Sequence, residues 1–378
     1  MFTKRQAFLG AVLVMLVTFV LTIGGVLYLL NAATGNAAQT IKFFSVFYTL
    51  RTKYVEAVPD EKLINGAIDG MVKSTGDPHT VYMQGEMLRQ FMTETEGNFG
   101  GVGIIVGSKD DTLTVVAPIE DTPGHAAGIK SGDKIITIDG EDTKGMPLDV
   151  AVNKIRGPKE TTVSLGLLGE DGQKRTVEVV RSDIKLKTVY GRKIEDNIGY
   201  IRVTMFNKQT DEDFAAKLKE FDQENITKIV LDLRNNPGGL LDSCIAMARM
   251  IVPKGPIVSI VTKDGSKEVY SSDLVTPKYK FVVLVNQGSA SASEIIAGAL
   301  QDTKTGIILG KNTYGKGSVQ TVMQLDADSA LKLTFATYYT PNNNKINGVG
   351  VKPDVELELV EGEDNQLAKA ISLLKEQN

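Results

Sequence analysis

The sequence predicts an α/β core that carries an inserted small β domain and stands behind a helical arm and one apolar N-terminal helix. Three observations lead there. Residues 7–30 form an uncharged apolar run, residues 97–183 alternate short β-type runs with turn signals, and strand and helix patterns alternate from Ile184 onward. The 378 residues, 42% of them hydrophobic, suffice for two folded domains with accessories. Lys plus Arg number 42 against 46 Asp plus Glu, spread along the chain, which excludes a nucleic-acid partner because a phosphate backbone selects clustered cations. Cys244 is the one cysteine, and His79 and His125 are the only histidines. These are too few for a disulfide framework, a thiolate cluster or a zinc site, so no metal and no cofactor is expected.

At about 1.5 Å per residue, the run 7–30 is long enough for a hydrocarbon core of about 30 Å. Lys4 and Arg5 precede it, which by the positive-inside rule predicts a cytoplasmic tail at 1–6 and everything after Leu30 outside the cytoplasmic membrane. A signal peptide's apolar region would be about 7 to 15 residues, so an uncleaved membrane anchor is expected, although 31–38 offers small residues near a cleavage point. In the arm, 39–96, Phe43, Phe44, Phe47 and Leu50, then Leu63, Ala67, Ile68 and Met71, recur at helical spacing, with breaks at Pro59 and at Gly76-Asp77-Pro78. The β zone, 97–183, has runs at 103–106, 113–117, 134–138, 161–168 and 175–180, interrupted by one helix on Leu148, Ala151, Val152 and Ile155. In the core, 184–378, strands are expected at 198–206, 228–233 and 281–285 and helices at 211–224 and 240–251, with a terminal helix at 364–378. Arm and terminal helix both read as apolar surfaces seeking partners, which leaves room for a homodimer.

Two segments of the β zone have a mechanism attached. Phe99-Gly100-Gly101-Val102-Gly103-Ile104 places three glycines before a strand, where consecutive N–H groups form a nest for a carboxylate and the strand edge receives a peptide. Together with Ala127-Gly128-Ile129 through Gly132-Asp133 and the helix near 148–155, this order resembles a PDZ domain, a module that adds a protein C-terminus as an extra strand. The resemblance implies substrate-binding residues Gly100, Gly101, Val102, Gly103 and Ile104. His125 reads as a surface loop residue.

In the core, a buried strand ends at Val285, the turn Asn286-Gln-Gly-Ser-Ala-Ser-Ala-Ser293 follows, and a helix begins near Ser293. A serine in such a turn lies beside unpaired helix N-terminal N–H groups and is placed for nucleophilic attack. Capping accounts for Ser293 and does not explain Ser289 and Ser291 as well. With both histidines upstream of the core, the base is expected to be a lysine, and Tyr314-Gly-Lys316-Gly-Ser-Val-Gln320 supplies one between glycines that admit close packing. An inward lysine loses hydration, which lowers its pKa and lets the neutral amine take the serine proton.

These segments, with Leu231-Asp-Leu-Arg-Asn-Asn-Pro-Gly-Gly239, Gly76-Asp-Pro-His-Thr80 and Gly348-Val-Gly-Val-Lys-Pro-Asp354, closely resemble the carboxyl-terminal processing proteases. Lys316 follows Ser291 by 25 residues and Gln320 lies four further on, the separations of that family's nucleophile, base and base-orienting glutamine. The resemblance implies a ClpP/crotonase-like mixed sandwich for the core, catalytic Ser291, Lys316 and Gln320, and an oxyanion hole from N–H groups of Gly238 or Gly239 and of Ala292. It implies protein substrates with accessible apolar C-termini and activity gated by the substrate tail, and it leaves open a regulatory partner protein. Arg156, at the end of the groove helix, is the candidate regulatory residue, against a plain solvated helix-end charge. Asp302 matches an acid of the family but reads equally as structural.

Two other functions compete on the same residues. Gly310-Lys-Asn-Thr-Tyr-Gly-Lys-Gly317 nearly spells a phosphate-binding loop, but Gly317 stands where Ser or Thr should bind the metal, and 319–325 reads as strand where a helix should begin. A catalytically dead tethered PDZ adaptor is weakened by the joint presence of Ser291, Lys316 and Gln320. The expectation is therefore a membrane-anchored serine endopeptidase.

Overall fold

A computed structural model of the chain describes residues 4–109, 112–119, 121–169 and 171–377. Residues 1–3 of the expected tail and Asn378 of the expected terminal helix lie outside the described residues. The chain divides into two compact units, Met1–Tyr82 and Met83–Asn378.

In the first unit the apolar run forms one helix, Lys4–Thr34, whose stretch Phe8–Leu29 is long and apolar enough to cross a membrane. Gly35, at φ 72°, ends it. Asn36 then caps a second helix, Ala37–Lys53, its side chain accepting from the Gln39 N–H at 3.1 Å. That helix buries no residue and exposes Phe43, Phe44, Val46, Tyr48 and Leu50. A third helix, Asp60–Lys73, starts behind Pro59 and carries Asp60 and Glu61 in its first turn, where the helix dipole favours negative charge. The arm is not helical throughout. After Pro78 the β-prone Val81–Gln84 forms a strand, and the last helix of the expected arm, Glu86–Glu96, belongs to the second unit.

Among the described residues the β domain is an antiparallel sheet in the order Ile104–Lys109, Thr112–Pro118, Lys134–Ile138, Thr162–Leu168 and Lys174–Val180, with the short strand Glu141–Asp142 paired to Lys134–Ile138. Their alternating inward residues, among them Leu113, Val115, Ile135, Val163 and Leu165, close over Ala151 and Ile155 of the helix Leu148–Ile155. One ladder was not signalled by pattern. Asn98–Gly101 pairs with Ser182–Lys185, so the chain enters and leaves the domain through neighbouring strands.

The core sheet runs Val189–Glu195, Ile198–Val203, Lys228–Asp232, Lys280–Val285, Gly306–Gly310 and Val355–Glu356, the first pair antiparallel and the rest parallel. A second sheet joins Gly255–Thr262 to Lys267–Ser272 and to Ser329–Tyr339, and Ser318–Gln324 lines the outer side of Ser329–Tyr339. The helices Leu241–Ile251 and Ala292–Asp302 contribute to one apolar core with both sheets, seen in Met247, Ile251, Ile296, Val258, Tyr338 and Val283. Cys244 is part of this core, where burial pushes its thiol pKa up. Lys228–Asp232 and Lys280–Val285 are apolar on both faces because helices cover both sides of a parallel sheet.

The terminal helix, Asn365–Glu376, corrects one expectation. Its apolar face, Ala370 and Leu374 above all, packs on Val230, Val282 and Leu284 of the core sheet, so that face is spent inside this chain. The phosphate-loop reading also ends here, since Lys316 is followed by the strand Ser318–Gln324 and not by a helix.

Candidate active site

Ser291 is the residue before the helix Ala292–Asp302 and holds φ 55°, ψ −116°, a strained conformation for a non-glycine residue. Such outliers cost about 1 to 3 kcal/mol and persist only where surroundings enforce them. The enforcing groups are visible. Gly238 approaches so closely that a Cβ there would lie 2.8 Å from the Ser291 Cβ and 2.8 Å from the Ala290 carbonyl. The Ala290 N–H donates to the Asn236 carbonyl at 3.0 Å, and the Ser289 hydroxyl donates to Leu233 at 2.7 Å.

The two neighbouring serines therefore fasten the turn. Ser293 is a correction: it does not cap the helix but sits inside its first turn, donating to the Asn236 carbonyl at 3.0 Å. Ser291 occupies the capping position, and its N–H is taken by the side chain of Glu294 at 2.8 Å.

Glu294 is the group that composition and motif left without a role. Fully buried, its carboxylate also accepts from the Thr313 hydroxyl at 2.5 Å, the Gly315 N–H at 2.7 Å and the Lys316 N–H at 2.9 Å. One carboxylate thus ties the serine turn to the lysine loop. A second tie is Tyr338, 2% exposed, whose hydroxyl donates toward the carbonyls of both Ser291 and Lys316. Burial, then the Glu294 charge, raise the Tyr338 pKa, so the phenol stays a donor. The glycines beside Lys316 serve close packing as expected: a Cβ on Gly317 would lie 2.3 Å from the Asn347 nitrogen. Both ties could have been suspected, Glu294 from a charge inside an apolar helix and Tyr338 from its aromatic, strand-like surroundings.

Ser291, Ala292 and Gln320 line one small cavity of about 40 Å³ together with Ser318 and Tyr338. Gln320 donates through Nε2 to Ser318 Oγ at 2.9 Å and to Thr334 Oγ1 at 3.2 Å. The segment Pro237-Gly238-Gly239 faces the serine turn. The Gly238 N–H is bonded to the Asn236 side chain at 2.9 Å. The carbonyl of Gly238 and the N–H of Leu240 pair with Phe206, which turns the Gly239 N–H away from that bridge. Behind this turn, buried Asp232 accepts from Arg234 and from the Tyr200 hydroxyl at 2.7 Å, and Arg234 extends to Asp364 at 2.8 Å, anchoring the turn to the terminal helix. Asp302 accepts from the Asn342 N–H at 2.8 Å.

In the β domain, Gly101, Val102, Gly103 and Ile104 line a groove of about 570 Å³ beside the helix Leu148–Ile155. Gly100 does not line it. Its main chain abuts Gly157 and faces a neighbouring cavity of about 770 Å³. Arg156 and Phe99 line both cavities, the guanidinium lying 4.5 Å from the ring centre. The last carbonyls of that helix are taken by Arg181, which donates to the Ile155 carbonyl at 2.9 Å and the Lys154 carbonyl at 2.8 Å. His125 is exposed, as expected.

The model of peptidase family S41 matches residues 197–357, a PDZ domain model matches 90–168, and a model described as the activating protease CtpB N-terminal domain matches 30–87. The carboxy-terminal-processing protease of Bartonella bacilliformis is 41% identical over 337 residues, covering 87% of this chain and 77% of that protein. Carboxy-terminal processing protease CtpA of Bacillus subtilis is 36% identical over 331 residues, covering 87% of this chain and 71% of that protein. The solved structure of a photosystem II D1 C-terminal processing protease aligns with a TM-score of 0.51 at 29% identity, over 88% of this chain and 97% of that one. Matched at this identity over this share of its relatives' length, the chain belongs to peptidase family S41 and is a carboxy-terminal processing serine protease with a PDZ domain.

Proposed function

We propose that the chain is a single-pass membrane-anchored endopeptidase that takes protein C-termini into its PDZ groove and cleaves upstream by a Ser-Lys mechanism, outside the cytoplasmic membrane. One observation carries the reading: Ser291, strained into a turn that lines a cavity with Gln320, is joined to the Lys316 loop through the single carboxylate of Glu294. Lys316 takes the Ser291 proton as Oγ attacks the peptide carbonyl, and Gln320 orients the lysine. The oxyanion meets the N–H groups of Ala292 and Gly239, because the Gly238 N–H already has an acceptor in Asn236. Lys316 then protonates the leaving amine, an acyl-enzyme remains on Ser291, and water releases it. A lysine is a base only when unprotonated, so turnover rises from about pH 6 to about pH 9.

The terminal carboxylate of the substrate meets the N–H groups around Val102 and Gly103, with apolar side chains in the groove behind them. Arg156, shared by both cavities, reports groove occupancy toward the core. The apolar helix Phe8–Leu29 with Lys4 and Arg5 before it supports the anchor and its orientation. The unpartnered apolar residues of Ala37–Lys53 support a homodimer through the arm, and the match of 30–87 to an activating protease's N-terminal domain supports gating by a regulatory protein.

The test is cleavage of an unfolded protein with an apolar C-terminus by the detergent-solubilised full chain. Cleavage that survives EDTA and is lost in Ser291→Ala and in Lys316→Ala is expected. Persistent cleavage in either variant would remove that residue from the mechanism.

A further inference from the structure

The strand Ser318–Gln324 carries Gln320 into the catalytic cavity, and among the described residues it pairs on one side alone, with Ser329–Tyr339. Its other side is an open edge. Seven residues long, Ser-Val-Gln-Thr-Val-Met-Gln has no charge and no proline, the devices by which proteins normally blunt an edge against unwanted pairing. Residues Thr321 to Leu325 are all exposed.

The register shows which main-chain groups face outward. Leu325 donates its N–H to Ser329 at 3.0 Å, and the ladder continues with Met323 opposite Leu331 and Thr321 opposite Leu333. Antiparallel pairing alternates bonded and non-bonded pairs, so the N–H and C=O groups of Val322 and Gln324 point to the open edge. This alternation starts at the active site and runs about 13 Å from Gln320 to Gln324, at about 3.3 Å per residue. At its far end Gln324 lines the 770 Å³ cavity that also takes in Phe99 and Arg156, the residues shared with the PDZ groove.

We infer that the open edge of Ser318–Gln324 is a second substrate-binding element, which takes the main chain of an extended polypeptide as an added strand and leads it past Ser291. The inference rests on the peptidase reading and adds to it a site that holds main chain and not a terminus. An added strand gains affinity from backbone hydrogen bonds whatever its sequence, which suits an enzyme that must hold many different residues at the scissile bond. Exposed Val322, Met323 and Leu325 give the edge an apolar character, so extended apolar stretches seat best.

Hydrogen exchange of the full-chain Ser291→Ala protein, with and without an unfolded polypeptide ending in apolar residues, tests the placement. Exchange across 318–325 should slow together with that across 104–109 in the PDZ groove. Slowing at 104–109 with none at 318–325 would overturn the edge while leaving the peptidase intact. In the active enzyme, Val322→Pro removes one outward N–H and no ladder bond, and should lower kcat/KM for polypeptides about five- to tenfold, the worth of one backbone hydrogen bond. An unchanged kcat/KM would also overturn the edge. Failure of the peptidase reading shows separately, as absence of cleavage by the unaltered chain, and the exchange result is read whether or not cleavage occurs.

Discussion

The hydroxyl of Tyr338 lies 3.0 Å from the main-chain carbonyl of Ser291 and also reaches the carbonyl of Lys316. One side chain on the second sheet therefore touches the backbones of Ser291 and Lys316 at once. Replacing it with Phe keeps the packing and leaves the Lys316 carbonyl without this donor, a loss of about 1 to 3 kcal/mol. Tyr338→Phe should lower kcat about tenfold or more with KM nearly constant, and should displace the rising limb of the pH–rate profile. A purely structural role would lower the melting temperature and leave that profile in place.

Glu294→Gln is expected to be more severe. A neutral amide presents one acceptor and two donors to a site where four donors converge on the carboxylate. Stability should fall by about 2 to 4 kcal/mol in urea unfolding, and turnover by more than a hundredfold. An active Glu294→Gln enzyme would show that the carboxylate does not hold the two loops together.

Arg181 offers a test of the groove that leaves the Ser291 cavity untouched. Its guanidinium satisfies the last carbonyls of the groove helix, so Arg181→Ala frees that helix end. Binding of a C-terminal peptide should weaken several-fold, read by fluorescence anisotropy, while kcat at saturating substrate holds. Unchanged affinity would place the control of the groove elsewhere.

The terminal helix should respond to acid. Hydrogen bonding to Arg234 holds the Asp364 carboxyl below its ordinary range. A carboxylate depressed in the folded state stabilises it fully above its unfolded pKa, near 4, and that contribution disappears as pH falls through the lower folded value. Exchange protection of Asn365–Glu376 should therefore weaken below about pH 4, and Asp364→Asn should remove much of that pH dependence. Equal pH dependence in both proteins would exclude the Arg234 link as its cause.

Much of this was legible in the residues. Strong periodicity placed the helix Leu148–Ile155, the buried strands Lys228–Asp232 and Lys280–Val285 and the Phe8–Leu29 span, because local patterns that bury one face or all faces leave direct marks in composition. The small-residue turn before a helix offered Ser289, Ser291 and Ser293, among which the family resemblance chose Ser291, and the Gly-Lys-Gly segment offered Lys316. Strands such as Ser329–Tyr339 and the ladder of Asn98–Gly101 with Ser182–Lys185 were not legible, since their pairing is decided by residues far away in the chain.

By itself, then, the sequence determined the order of its zones, the types of residue available for chemistry and the exclusion of an intrachain disulfide and of thiolate clusters. Tertiary structure alone decided which groups meet. It brought Glu294 and Tyr338 between two loops, turned the apolar face of the terminal helix inward and left one edge of Ser318–Gln324 open. The physical reason is that hydrogen bonds to buried carboxylates and free strand edges depend on contacts between segments tens to hundreds of residues apart, which no local period encodes.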